Sequence, residues 1–549
     1  MTFNYLTLLR EHMGASAVKV VVASALAGVS QGAVMTLVNA AAMKPGTDVT
    51  QAVDYRLFLF FVLTIGACII NKHYAMTRST AIVESIVSRI RTEICDRIRH
   101  GDLVQFEKVG GSDVFTTLNR DTTTLSDITM VLISSSASAS MLLFSFAYIF
   151  VMSTTAFFVS ALLVAIGIGY YLSVSGRASA MLRGAFQSES RFFELVGHLL
   201  NGFKEVKLNT RRSNDLHGNH LVEASRKASR QKAHAGFEYI GLFIFSQTFF
   251  YMLIAVIVFL LPVFASIEPG TVMRLTAVVL FIIGPLGEVV NAIPCLSRAE
   301  MAVGNLNSLR DRLRTDERPD PESAGYLRLS RMAKVESLRL EDVAFSYLDA
   351  NGHPQFTIGP ATLDVRAGEL LFLVGGNGSG KSTFLKLLTG LYHPHQGAIF
   401  MNGLRVDESN ITAYRDRFAA VFTDFHLFDR LYGIPDVDAA RVQEWLERMQ
   451  IADKTAFVDG RFTNRDLSTG QRKRLALIAA LLEDREIYIF DEVAADQDPE
   501  FRQYFYHTIL KDLCAAGKTV IAVTHDDRYF SVASRVVRMD FGKLSDVQV

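Results

Sequence analysis

The chain has 549 residues, half of them hydrophobic, and its 56 Lys and Arg are matched by 56 Asp and Glu. A formal net charge of zero argues against a polyelectrolyte partner such as nucleic acid, and the length asks for at least two domains. Four widely spaced cysteines, Cys68, Cys95, Cys295 and Cys514, form no C-x-x-C. They argue against a disulfide framework or a thiolate zinc site and read as buried, reduced thiols.

The N-terminus, "MTFNYLTLLREHMGAS", lacks a cationic stretch leading to a small-residue cleavage site, so no cleaved signal peptide is expected. Six apolar stretches then reach the roughly twenty residues that a helix needs to cross a bilayer. They lie near 17–43, 55–77, 127–152, 155–175, 239–263 and 271–295. Lys19 is close enough to the end of the first to snorkel.

The connections between these spans alternate in character. Residues 78–126 carry Arg78, Arg89, Arg91, Arg97, Arg99, Lys108 and Arg120. The link between spans four and five is longer and more basic, from Arg183 to Lys232. On the opposite side only Lys44 and Arg56 flank the first link, and "MSTT" and "FASIEPG" have no Lys or Arg. The positive-inside rule therefore predicts cytoplasmic termini and cytoplasmic long connections, which read as helical extensions of the spans.

Within the spans, Glu288 sits beside Gly284, Pro285 and Gly287 in the sixth. An intramembrane acid faces a cavity or a partner, so Glu288 is a candidate for the cargo path, with a structural pairing as the competing reading. Gln31, Gln247 and Thr248 are weaker candidates of the same kind. The small residues of "SSSASAS" (134–140) predict close helix packing.

Residues 308–337 are charged, contain two prolines and read as a linker between a membrane domain at 1–307 and a third region at 338–549. That last region alternates strand-like and helix-like pieces, as an α/β domain does. Its first chemical motif is "LLFLVGGNGSGKSTFLKLL" (370–388). An apolar strand precedes Gly375–Ser382, which fits G-x-x-x-x-G-K-[ST], and a helix start follows. Gly375, Asn377, Gly378, Ser379 and Gly380 can turn backbone N–H groups around an anion. Lys381 supplies charge to the β- and γ-phosphates, Ser382 a hydroxyl to Mg²⁺, and the helix N-terminus at Thr383 favours negative charge.

Two further strands end in chemistry. "EIYIFDEVAADQD" (486–498) closes on Asp491, placed to hold Mg²⁺ through water, and Glu492, placed to polarise an attacking water. Unpaired acids at the end of an apolar strand cost energy unless they are used. "VIAVTHDD" (520–527) ends in His525. A lone histidine is more often structural, but at a strand end in such a sheet a functional role is the stronger reading.

"LSTGQRKRLALIAALL" (467–482) opens with a segment that resembles the LSGGQ signature of ATP-binding cassette (ABC) ATPases, with Thr469 replacing the first glycine of the pair. The order and spacing of the signature, the Asp491–Glu492 strand, Asp498 and His525 resemble that family across 338–549. Tyr347 in "VAFSY" matches its adenine-stacking aromatic. The six spans resemble the type I exporter (type IV) membrane domain, with "SDVFTTLNRD" (112–121) and "NGFKEVKLN" (201–209) resembling its two coupling-helix regions.

The resemblance implies ATP and Mg²⁺ as ligands, with Ser468, Thr469, Gly470 and Gln471 of one chain facing the phosphate loop of another. A homodimeric half-transporter, an ATPase in a membrane-lipid environment, is thereby implied. One departure concerns the loop glutamine of the family, whose place is taken by Thr423. A threonine is too short to touch the metal directly; it could act through a water, or Asp424 could take part.

"LVGGNGSGKST", "VFTDFHLFD" and "DEVAADQDPEFRQYFY" resemble a narrower group, the bacterial cyclic-peptide and siderophore exporters, among them pyoverdine-precursor, microcin J25 and syringomycin exporters. That resemblance implies export of a peptide siderophore precursor from cytoplasm to periplasm across the inner membrane, with any periplasmic accessory proteins unidentified. The alternatives are a lipid or lipopeptide flippase or a siderophore importer on the same fold. From another class comes a nucleotide-sensing or channel-gating membrane protein, against which the intact Glu492 argues.

Overall fold

The computed structural model describes residues 4–42, 55–264, 269–313, 322–349 and 351–547. Lys44, most of the "FASIEPG" loop and positions 314–321 of the expected linker lie outside them. Two compact units emerge, one of residues 1–96 and 110–312, the other of residues 97–109 and 313–549.

The first unit is helical. Its elements are α1 (Asn4–Ala42), α2 (Tyr55–Arg99), then, after the short α3 (Leu103–Val109) discussed below, α4 (Gly111–Met152) and α5 (Thr154–Asn201). Short helices α6 (Phe203–Leu208) and α7 (Thr210–Asn214) lead through a π-helical stretch (Asp215–Leu221) into α8 (Val222–Ala255). A second π-helical stretch, α9 (Leu261–Phe264) and α10 (Pro269–Arg312) complete it. Among the described residues six helices are long and apolar enough to cross a membrane. A helix of 45 residues, such as α2, runs roughly 65 Å at 1.5 Å per residue. A hydrocarbon core takes about 30 Å of that, so the helices continue well past the bilayer as the basic connections predict.

Packing inside this unit follows the small residues. α4 lies along α10 and α1, and α5 along α8. A Cβ on Gly28 of α1 would come within 2.0 Å of the Ala137 carbonyl oxygen of α4, so only glycine permits that approach. Ser24 donates to the Ile133 carbonyl at 3.2 Å beside Ser136, as expected of the serine-rich stretch. Large apolar side chains such as Phe58, Leu59 and Phe60 of α2 point outward, as lipid-facing residues do. α10 continues unbroken through Pro285 and Pro294.

The second unit is α/β. Its strands are β1 (Ser337–Leu348), β2 (Pro354–Arg366), β3 (Leu370–Val374), β4 (Gln396–Met401), β5 (Leu404–Arg405), β6 (Phe418–Val421), β7 (Phe457–Val458), β8 (Arg461–Phe462), β9 (Ile487–Asp491), β10 (Thr519–Val523), β11 (Arg535–Asp540) and β12 (Lys543–Val547). The main sheet has the order β12-β11-β3-β10-β9-β6, parallel except for the β11–β12 pair. An antiparallel sheet, β2-β1-β4-β5, packs beside it.

The continuous apolar runs of β3, β9 and β10 are explained by burial on both faces. Leu370, Phe372 and Val374 enter one core with Tyr488 and Phe490, while Leu371 and Leu373 enter the other with Ile487, Ile489 and Ile521. Each fully buried aromatic or leucine contributes about 1.5–3 kcal/mol to holding the sheet. The helices here are α11 (Ala324–Ser330), α12 (Lys381–Leu388), α13 (Ile411–Arg415), α14 (Ala439–Arg448), α15 (Thr469–Leu482), α16 (Pro499–Tyr504) and α17 (Leu510–Ala515).

Two boundaries differ from the sequence expectation. α10 runs to Arg312, and α11 forms within the stretch read as a linker, capped by the Ser323 hydroxyl accepting from the Tyr326 N–H. Residues 112–121 form the first turns of α4; the short helix of that connection is α3, which clusters with the α/β unit. The second short helix, α6, lies within 201–209.

Candidate nucleotide site

The β3, β10 and β9 strands are neighbours, and their carboxyl ends bring three motifs to one edge. In open α/β sheets that edge is where ligands bind. The β3 end continues into the loop Gly375–Gly380 and then α12.

The loop needs its glycines at three places. Gly375 (φ 152°), Gly378 (φ 77°) and Gly380 (φ 105°) lie in the region that side chains avoid. A Cβ on Gly375 would stand 2.2 Å from the Met539 carbonyl oxygen, which fixes the loop against β11. Asn377 and Gly378, by contrast, are exposed at the rim.

Lys381 is 6% exposed and folds back over the loop, its ammonium donating to the Gly375 and Gly376 carbonyls at 3.1 and 3.0 Å. Burial lowers its pKa, opposed by the charges of Glu492 and Asp491. An ammonium held only by carbonyls in this way can turn to an anion in the cradle. The buried Ser379 hydroxyl has no hydrogen-bond partner within the chain.

β9 ends on Asp491, whose Oδ2 accepts from the Thr423 hydroxyl at 2.7 Å and whose buried Oδ1 has no hydrogen-bond partner within the chain. An orphaned buried carboxylate oxygen calls for a further donor or cation. With the Ser382 hydroxyl at the start of α12, the donor set is all oxygen, which suits Mg²⁺ completed by phosphate oxygens and waters. Thr423 therefore touches Asp491 directly, whereas Asp424 is exposed.

Glu492 occupies the left-handed region (φ 53°), a strained conformation for a residue with a Cβ. The turn directs its carboxylate to His525, with Oε1 to Nε2 at 2.9 Å. The Lys473 ammonium donates to the Glu492 carbonyl at 2.9 Å and pairs with Asp496 at 2.7 Å, so α15 holds the turn from behind. An acid fixed by strain on one side and a histidine on the other can orient and polarise a water.

The start of α15 is a capping box. The Ser468 hydroxyl accepts from the Gln471 N–H at 3.4 Å, and the Gln471 side chain accepts from the Ser468 N–H at 3.2 Å. Thr469 at the first turn is exposed, and Gly470 approaches the Asp496 carbonyl oxygen so closely that a Cβ would stand 2.9 Å away. Gln497 donates to the Gly470 carbonyl at 2.9 Å. Asp498 caps α16 by accepting from the Phe501 N–H at 2.8 Å and pairs with Arg474. Its carboxyl is held below the usual range by the Phe501 N–H and the Arg474 charge, against partial desolvation.

Sequence reasoning missed the supports: Lys473, Arg474 and Gln497. Arg474 also accepts no solvent role, since it is nearly buried, donates to Gln497 at 2.9 Å and covers the Phe501 ring at 4.1 Å. The available signal was two basic residues opening an otherwise apolar helix, opposite the acids of "DQD".

Tyr347 ends β1 with its hydroxyl 3.0 Å from that of Tyr392 and 3.4 Å from that of Thr383. Tyr392 donates in turn to Glu107 of α3 at 2.7 Å, and Glu107 pairs with Lys386 at 2.9 Å. Burial opposes the Lys386 charge, but the hydrogen bond and charge of Glu107 outweigh it and raise its pKa. Tyr347 is thus linked through Tyr392 to α3. Glu288 of the other unit accepts from the Ser138 hydroxyl at 2.5 Å, and the Ser135 hydroxyl donates to its carbonyl at 2.8 Å, which is the structural pairing.

The family model described as "ABC transporter" matches residues 358–495, from β2 past Glu492. The ATP-binding protein SyrD of Pseudomonas syringae pv. syringae is 32% identical over 533 residues, covering 95% of this chain and 93% of that protein. The ATP-dependent lipid A-core flippase of Burkholderia orbicola is 26% identical over 483 residues, 84% of this chain and 77% of that protein. A solved structure of a bacterial Atm1-family ABC exporter with ATP bound has the same fold, with a TM-score of 0.77 at 16% identity, over 98% of this chain and 94% of that one.

Proposed function

The chain belongs to the ABC exporter family, and we propose that it exports a peptide siderophore precursor of the pyoverdine type, or a related cyclic peptide, from cytoplasm to periplasm. It is a multi-pass membrane protein and an ATPase coupled to transport. The working unit is a homodimer in the bacterial inner membrane, with termini and cassettes in the cytoplasm.

The observation that carries this reading is the 32% identity to SyrD through both halves of the chain. Likeness confined to the cassette would speak for ATP alone; likeness along the spans as well speaks for a whole exporter of the same build. The phosphate loop, "VFTDFHLFD" and "DEVAADQDPEFRQYFY" point the same way.

Each residue then has a task. The loop N–H groups and Lys381 hold the β- and γ-phosphates, and Tyr347 stacks on the base. Ser382 and, through water, Asp491 would hold Mg²⁺, which when bound would neutralise phosphate charge; Thr423 steadies Asp491. Glu492 polarises the attacking water, and His525 keeps the Glu492 carboxylate in place. Ser468 to Gln471 are exposed or half-buried at a capped helix start. They complete the site of the partner chain, with Asp498 and Gln497 supporting them. ATP joins the two cassettes and hydrolysis parts them, and α3 and α6 carry that movement toward the spans.

A flippase of lipid or lipopeptide is the second reading, favoured by the 26% identity to the lipid A-core flippase. The experiment is ATP-dependent uptake into inside-out vesicles of an acylated pyoverdine-type precursor, with a cyclic peptide for comparison and Glu492→Gln vesicles as the blank. Accumulation of the precursor above the blank is expected. Movement of labelled lipid with no uptake of either peptide would replace the first reading by the second.

A further inference from the structure

The turns that follow β9 and β10 meet twice. At the front, the Glu492 carboxylate reaches His525 at 2.9 Å. Behind that contact, Arg502 of α16 spans the same two turns. Its Nε donates to the Gln497 carbonyl at 3.0 Å and one terminal nitrogen to the Ala495 carbonyl at 3.4 Å, both on the β9 side. Its other terminal nitrogen stands 3.8 Å from Asp526 Oδ2, on the β10 side. Asp526 directly follows His525 in the chain.

These contacts close a ring. The Ala495 N–H donates to the Glu492 carbonyl at 3.2 Å. The path therefore runs from Glu492 to Ala495, Arg502, Asp526 and His525, and back to Glu492. The β9 side is the anchored one. Lys473 donates to the Glu492 carbonyl at 2.9 Å, and Gln497 accepts from Arg474 and donates to the Gly470 carbonyl, each at 2.9 Å. On the β10 side the Asp526 N–H donates to the Thr524 hydroxyl at 3.1 Å, which lies 2.7 Å from the Tyr506 hydroxyl. Tyr506 comes four residues after Arg502, in the π-helical stretch Phe505–Ile509 that continues α16. Residues four apart share a helix face, so one helical segment grips the β10 turn at two places.

Asp526 has a nearer partner in Arg528, whose guanidinium reaches both its oxygens at 2.9 and 2.8 Å. The hydrogen bond and charge of Arg528, with the Arg502 charge behind them, hold the Asp526 carboxyl below the usual range against partial desolvation. The two arginines are not equivalent. The Arg528 side chain is 70% exposed, against 31% for Arg502. Arg528 also belongs to the β10 turn itself, so it cannot hold that turn to the other one.

We propose that Arg502, acting through Asp526, is a positioning residue for ATP hydrolysis: it holds His525 where the imidazole keeps the Glu492 carboxylate on the attacking water. The inference rests on the reading of Glu492 and His525 as the pair that orients this water. A defect here acts on the chemical step and spares ATP binding, because the phosphate loop and Lys381 follow a different strand, β3.

The test uses the full-length protein in phosphatidylcholine nanodiscs, with phosphate release for turnover and a fluorescent ATP analogue for binding. Arg502→Gln is expected to lower kcat about tenfold, since a small misplacement near the reacting atoms is enough for that, with KM and analogue binding unchanged. Asp526→Asn, an isosteric change that also stands in should Arg502→Gln unfold, is expected to do the same. The double variant should be no slower than the slower single one, because the two residues act as one pair. Arg502→Lys keeps a charge beside Asp526 and should recover most of the rate. Arg528→Gln removes an exposed local pair and should keep the parental rate. Only variants with the wild-type melting temperature count.

Losses that multiply in the double variant, an equal loss in Arg528→Gln, or analogue binding that falls in step with kcat would each overturn the proposal. His525→Ala separates it from the reading beneath it. If His525→Ala is slow and Arg502→Gln is not, the proposal alone falls. If His525→Ala turns over normally, the water-orienting pair falls and the proposal with it.

Discussion

The two halves of this chain carry information in different ways. In the cassette, specific atoms must meet a nucleotide, so residue identity is constrained at fixed spacing. Three neighbouring strands deliver Lys381, Glu492 and His525 to one edge. In the membrane half, lipid asks only for length and apolarity, so many sequences serve and the chemistry of the cargo leaves few fixed letters. The comparison teaches where a substitution should act: on turnover in one half, on packing or recognition in the other.

The largest effect is expected from Glu492→Gln. Removing the group that polarises water should lower steady ATP turnover at least about 100-fold while leaving ATP binding in place, measured by phosphate release and by binding of a fluorescent ATP analogue. Normal turnover in that variant would move the base elsewhere and erase the chemical side of the contrast.

In the membrane half the corresponding break is Gly28→Leu. With a Cβ already within 2.0 Å of the Ala137 carbonyl oxygen, α1 must move from α4. Overpacking of this kind costs about 1–3 kcal/mol or more. Thermal unfolding of the detergent-solubilised protein should show the loss, whereas isolated ATP binding should not change.

Arg474→Leu tests whether the cassette's unseen supports matter as much as its motif letters. It removes the bonds to Gln497 and Asp498 and the cover over Phe501. A loss of about 1–3 kcal/mol in denaturant unfolding is expected, reduced because Asp498 itself reaches solvent. An unchanged unfolding midpoint would show that α15 needs no such anchor.

The smallest effect is expected at Thr423. Thr423→Val loses the 2.7 Å bond to Asp491, worth about 0.5–1.5 kcal/mol, so hydrolysis should fall only a few-fold and need more Mg²⁺. Thr423→Gln should likewise remain within a few-fold of the parent. Complete loss in either would give the threonine a role beyond steadying Asp491.

The strand ends, the phosphate loop and the signature-like segment at Leu467–Gln471 were legible because each depends on a local pattern. The six spans were legible as apolar runs, and the long basic connections as their extensions. What escaped depends on partners distant in sequence. Lys473 and Arg474 gain a role only where Asp496, Gln497 and Asp498 meet them across the turn. α3 is too short and mixed to show a period, and Glu107 acquires meaning only from Lys386 and Tyr392. The bond from Thr423 to Asp491 could not be read either, because the fold brings together residues 68 apart in sequence.

The central claim is that ATP closes a site built from two chains, and cross-linking tests it most directly. In a Glu492→Gln background with the four native cysteines replaced by serine, Asn377→Cys is carried by one chain and Thr469→Cys by a differently tagged partner. The account predicts a disulfide between the two chains that forms with ATP and Mg²⁺ and is absent without nucleotide. A cross-link indifferent to nucleotide, or none between chains while ATP still binds, would contradict it.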